Sequence, residues 1–101
     1  MEINGLKIEK ETKGEETVFH LKGEINNLTA RSLDAELAAV SGNKLVFECK
    51  NLDYITSSGI RVMLVAKKEM SSGGGYFYAT DMNDAIKEIL DTVGLLNEFS
   101  K

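Results

Sequence analysis

Two adjacent hydroxyls, Ser57 and Ser58, stand where a strand-like apolar run gives way to an amphipathic helical pattern, with Thr56 beside them, in Asp53-Tyr54-Ile55-Thr56-Ser57-Ser58-Gly59-Ile60-Arg61. A hydroxyl at such a junction has two chemical uses. The first N–H groups of a helix lack intrahelical partners and the helix dipole places partial positive charge there, so an anion at Ser57 would be stabilised by the scaffold. A phosphoryl group on Ser57 would add about −1.5 to −2 charges at one surface point. The other use is local: a Ser or Thr oxygen caps a helix by accepting from its second or third N–H. Local chemistry alone ranks the cap above the phosphoacceptor.

Other chemistries find less support. Acyl transfer needs a nucleophile beside a base, and His20 is the single histidine, far from Ser57 along the chain. A nucleophile elbow wants glycines two before and two after the serine, and only Gly59 of that pair is present, Ile55 holding the other position. A small serine hydrolase is thus the weakest of three readings, and no catalytic residue is assigned. His20 reads as a strand histidine, partly exposed or hydrogen-bonded. One His and one Cys do not make a closed zinc or iron site, so no metal is expected. Cys49 shares a strand face with Leu45 and Phe47 and reads as core packing. Ser71-Ser72-Gly73-Gly74-Gly75 precedes a strand and lacks the Lys-Ser or Lys-Thr pair of a phosphate-binding loop, so no cofactor is expected.

The elements that must position Ser57 follow from periodicity. Ile3 to Ile8 alternates as a first half-buried strand, and Lys13-Gly14-Glu15-Glu16 turns into a second, Thr17 to Leu21, ended by Gly23. Leu28 to Val40 is helical, with Ala30, Leu33, Leu37 and Val40 on one face. Asn26, Asn27 or Thr29 can cap its start and Gly42 its end. A third strand, Leu45 to Cys49, leads through Asn51-Leu52-Asp53-Tyr54 to Ser57. The next helix carries a core stripe of Gly59, Val62, Met63, Ala66 and Met70. Tyr76 to Ala79 is a strand. Asp81 or Asn83 can cap a last helix that buries Ala85, Ile86, Ile89, Leu90 and Val93, and Leu95 to Phe99 finishes as a short strand or extended tail. This order predicts an α/β fold in one domain, 1–101, with a mixed sheet of four to five strands covered by about three main helices.

Composition narrows the partners. Hydrophobic residues make up 43% and charged residues 28%, within the globular range. The net charge of −4, from 16 acidic and 12 basic residues, is mildly repulsive to nucleic acid and anionic membranes, so neither is expected as a partner. The start Met1-Glu2-Ile3-Asn4-Gly5 lacks a basic, apolar leader, no apolar run approaches a membrane span, and the chain is expected in the cytoplasm.

The segment from Asp53 to Leu64, together with Gly23-Glu24-Ile25-Asn26 and Thr29-Ala30, resembles the anti-sigma factor antagonist branch of the bacterial STAS domain family. In that branch the first serine of a Ser, Ser or Ala, Gly, aliphatic sequence is phosphorylated, and by position this is Ser57, with Thr56 and Ser58 as alternatives. Two positions depart. Thr56 stands where many members have Asp, and Asn26 replaces a frequent Asp, each removing a negative charge. The resemblance implies a non-catalytic partner-switching protein in transcription regulation. Unphosphorylated, it would bind an anti-sigma factor with serine kinase activity. Phosphorylation at Ser57 would release it, and a serine phosphatase would reset it. The partner surface implied comprises Asn26, Asn27, Thr29, Thr56, Ser58, Gly59, Ile60, Arg61 and Leu64. Ile60 and Leu64 would be half-exposed contacts beside the core stripe, and Arg61 a polar anchor. A regulatory or scaffold domain of the same fold without phosphorylation is the second reading.

Overall fold

Alternating apolar residues in the first third of the chain build a meander in the computed structural model, which describes residues 2–100. Met1 and Lys101, the outer ends of the expected domain, lie outside the described residues. Strand β1 (Glu2–Ile3) pairs antiparallel with β2 (Leu6–Lys13), and β2 pairs antiparallel with β3 (Glu16–Ile25). Helical periodicity then takes over. Helix α1 (Asn27–Ala38) crosses to β4 (Lys44–Ile55), parallel to β3, and α2 (Ser57–Ser72) crosses to β5 (Tyr76–Thr80), parallel to β4. Two helices follow, α3 (Asp84–Thr92) and the single turn α4 (Leu96–Phe99). The five strands lie in the sheet in sequence order, as expected of crossovers that return each strand beside its predecessor.

One side of this sheet meets the helices in a single apolar cluster. Leu6, Ile8, Phe19, Leu21, Leu45, Phe47, Cys49 and Phe77 from the strands pack with Leu33, Val62, Met63, Ile86, Leu90 and Phe99 from the helices. Aromatic rings run through it in series: Phe19 stacks on Phe47 at 5.6 Å, Phe47 meets Phe77 edge-on at 4.8 Å, and Phe77 meets Phe99 edge-on at 5.9 Å. On the other side His20 bonds across the strands to Glu11 and Glu48, and Tyr76 stacks on Tyr78. A sheet with antiparallel strands can leave a face polar in this way.

Several element bounds differ from the expected ones, some through local turn and cap geometry and some through longer-range contacts. The expected first strand is split by Asn4-Gly5, whose positive φ values of 51 and 92 make a tight hairpin turn. Gly23 does not end its strand, which continues to Ile25. Its φ is 107, and a side chain there would lie 1.9 Å from the Gly5 carbonyl, so glycine lets the N-terminal turn lie against β3. β4 extends from the expected Cys49 to Ile55, because Leu52, Tyr54 and Ile55 pair with Gly23, Glu24 and Ile25. α1 ends at Ala38, capped by Ala39 rather than near Gly42. Ser71 and Ser72 belong to α2, not to the following loop. Ala85 and Val93 are exposed, since only Ile86 and Leu90 of α3 face fully inward. The expected terminal strand or tail is helical, with Phe99 driven into the core.

Candidate functional site

Parallel pairing brings two strand-to-helix junctions together. Ile25 and Ile55 are partners at the carboxyl ends of β3 and β4, and the Thr56 N–H donates to the Ile25 carbonyl at 2.9 Å. α1 and α2 therefore start side by side, just beyond the carboxyl ends of these two neighbouring strands. Gly59 makes the close approach possible: a Cβ there would lie 2.6 Å from Ile55 Cγ1 and 2.7 Å from Ile25 Cγ2.

The three hydroxyls at the start of α2 have three different surroundings. Thr56 occupies the N-cap position in extended conformation, yet its side chain makes no cap bond, and its Oγ1 is buried without a partner among the described residues. Ser58 is half-buried and donates from Oγ to Asn27 Oδ1 at 2.6 Å. Ser57 is the first helical residue; it is exposed, and its hydroxyl makes no hydrogen bond among the described residues. The capping preference drawn from local chemistry is thus not met by Ser57. With no side-chain cap among the described residues, the first N–H groups of α2 are left to the anion-favouring end of the helix.

At the neighbouring junction the capping expectation is met. Asn26 Oδ1 accepts from the N–H groups of Leu28 and Thr29 at 2.9 and 3.0 Å, and Thr29 Oγ1 accepts from the Asn26 N–H at 2.7 Å, a reciprocal capping box. The Asn26 amide also donates to Glu24 Oε1 at 2.9 Å, which an aspartate could not do. Thr29 is wholly buried and also bonds the Glu24 carbonyl, so its side chain supports the junction from beneath and offers no contact surface. Gly59 is buried too and acts through packing. Both were expected on the partner surface, and burial removes them from it. Asn27 and Arg61 are exposed, Asn26, Thr56, Ser58 and Ile60 are half-buried, and Leu64 is 41% exposed.

Sequence reasoning missed three exposed apolar residues near these positions: Leu28 at 63%, Tyr54 at 50% and Val65 at 43%. The signal for Leu28 was available, because it falls off the Ala30, Leu33, Leu37 stripe. An apolar side chain off the buried face at a helix start is a surface contact in waiting.

The remaining reactive groups are spoken for. Both ring nitrogens of His20 contact carboxylates, Nδ1 with Glu48 at 3.0 Å and Nε2 with Glu11 at 2.7 Å, so neither serves Ser57 as a base. Burial pushes the Cys49 thiol up to about 12, which leaves it an inert core group. Among the described residues no group of three or more His, Cys, Asp or Glu side chains could hold a metal ion. Among the described residues no helix is long and apolar enough to cross a membrane.

Comparison with known proteins bears on this arrangement. The profile of the STAS domain family matches residues 7–101. The chain is similar to BtrV of Bordetella bronchiseptica, named as an anti-sigma factor antagonist, with 32% identity over 78% of this chain and 71% of that one. It is 29% identical to the anti-sigma F factor antagonist of Paenibacillus polymyxa over 89% of this chain and 80% of that one. The fold superposes on Bacillus SpoIIAA in two forms at 16% identity. The unphosphorylated form gives a TM-score of 0.81 over 94% of this chain and 86% of that one, and the phosphorylated form 0.76 over 94% and 89%.

Proposed function

Because the chain belongs to the STAS domain family, we propose that it is an anti-sigma factor antagonist, a non-catalytic cytoplasmic protein that switches partners by phosphorylation at Ser57. The observation that carries this reading is the isolation of one hydroxyl: of three in a row, Ser57 alone is exposed and free of hydrogen bonds among the described residues. Unphosphorylated, the two adjoining helix starts dock an anti-sigma factor that is also a serine kinase. Exposed Leu28 and Leu64 supply apolar contact, and Arg61 a polar anchor. The partner, not this chain, supplies the nucleotide and the transfer machinery, and a serine phosphatase resets the hydroxyl.

The switch follows from where a charge is tolerated. In the free protein a phosphate on Ser57 sits in water at the positive end of α2 and costs the fold little. Inside the complex the same charge must be desolvated, at a cost on the order of several kcal/mol unless the partner offers cations. Each 1.4 kcal/mol or so is tenfold in affinity, so a complex of micromolar to nanomolar strength is released.

The test compares Ser57→Ala and Ser57→Asp forms as baits in a lysate of the source cell. Ser57→Ala is expected to capture an anti-sigma factor kinase, and Ser57→Asp to retain at least tenfold less. Equal capture by the two forms removes phosphate control and leaves the scaffold reading.

A further inference from the structure

We infer that Asn27 is a positioning residue that confines phosphoryl transfer to Ser57, by holding the hydroxyl of Ser58 against α1. The inference rests on the partner-switching reading and deepens it. Ser57 and Ser58 are chemically identical and adjacent, so a kinase that accepts one could take the other by a one-residue slip. What separates them is the bond from Ser58 Oγ to Asn27 Oδ1 at 2.6 Å, made across 31 residues of chain. That bond is not a by-product of helix capping. Asn26 caps α1 by itself, and the Asn27 side chain makes no other hydrogen bond among the described residues. Thr56 needs no such guard, because its Oγ1 is already buried.

Transfer to Ser57 forms a bond from its Oγ to the γ-phosphorus of ATP. The bond from that phosphorus to the β,γ-bridging oxygen breaks, its electron pair leaves on that oxygen with ADP, and the hydroxyl proton passes to a carboxylate base of the kinase. The same step at Ser58 must first withdraw the hydroxyl proton from Asn27. One hydrogen bond of this kind is worth a bias of roughly tenfold.

The experiment incubates the full chain with Mg-ATP and a soluble extract of the source cell, then maps phosphate by tandem mass spectrometry. The natural chain should carry phosphate on Ser57. Asn27→Ala should raise the ratio of phospho-Ser58 to phospho-Ser57 roughly tenfold, the worth of the lost bond. Asn27→Asp, which keeps an acceptor oxygen, should restore the natural ratio, a rescue that a general loss of structure would not give. If Asn27→Ala fails to fold, Asn27→Gln displaces the acceptor and should shift the ratio in the same direction. An unchanged ratio with Ser57 still phosphorylated overturns the role of Asn27 and leaves the switch intact. Phosphate on none of the forms overturns the switch itself and this role with it.

Discussion

His20 holds two carboxylates at once, and its protonation state decides whether both contacts are hydrogen bonds. A neutral imidazole has one N–H, so only the imidazolium donates to both Glu48 and Glu11. Those bonds, Glu48 first and Glu11 second, hold the His20 pKa above its ordinary 6.5, against a smaller opposing effect of burial. A group whose folded pKa is raised contributes stability that is full below its unfolded value and lost as pH rises through the folded one. The thermal midpoint is therefore expected to fall by a few degrees as pH rises from about 6.5 to 8, the range just above the unfolded His value. His20→Gln should flatten that slope. A slope unchanged by the substitution would place the proton elsewhere. The ring is about one-third exposed, so the effect is modest and weakens with salt.

At the scale of the element, α2 depends on a residue with no side chain. Gly59 occupies its third position against Ile25 and Ile55, and an added methyl would come within 2.7 Å of both. Alanine favours a helix over glycine by up to about 1 kcal/mol, but overpacking a tight site costs about 1–3 kcal/mol. Gly59→Ala is therefore expected to be net destabilising by roughly 1 kcal/mol or more in urea unfolding. Backing the start of α2 away from the sheet also displaces Ser57, so phosphorylation should slow in this variant even where it remains folded. A more stable Gly59→Ala protein would mean that α2 has slack against β3 and β4.

For the whole molecule, the end of the chain closes the core that the sheet opens. Phe99 is wholly buried and meets Phe77 edge-on, extending the ring series from β3 to α4. Truncating such a side chain costs about 3–5 kcal/mol, a large share of the 5–15 kcal/mol or so that holds a domain together. Phe99→Ala should lower the denaturant midpoint steeply, with the loss seen equally by near- and far-ultraviolet circular dichroism. A mild or partial transition would show α4 to be a separable appendage.

Much of this architecture was legible in the chain itself. The stripe from Gly59 to Met70 and the alternation of Leu45, Phe47 and Cys49 identify their buried faces, because helix and strand periods are local geometry. The same reading located Ser57 at a helix start and left Asn26, Asn27 and Thr29 as candidate caps of the preceding helix, since caps are made by residues about three apart. It could not see where a strand stops when a partner strand extends it, as at Leu52 to Ile55, nor that a terminal Phe99 would fold back as a helical turn. Local pattern did not distinguish three neighbouring hydroxyls, and only the family resemblance ranked Ser57 first. Their spacing made them equivalent, and only tertiary structure buried the Thr56 hydroxyl, tied Ser58 to Asn27 across 31 residues and left Ser57 exposed. Local periodicity decides which residues can share a face; which hydroxyl reaches solvent depends on which two helix starts the parallel pairing of β3 and β4 sets side by side.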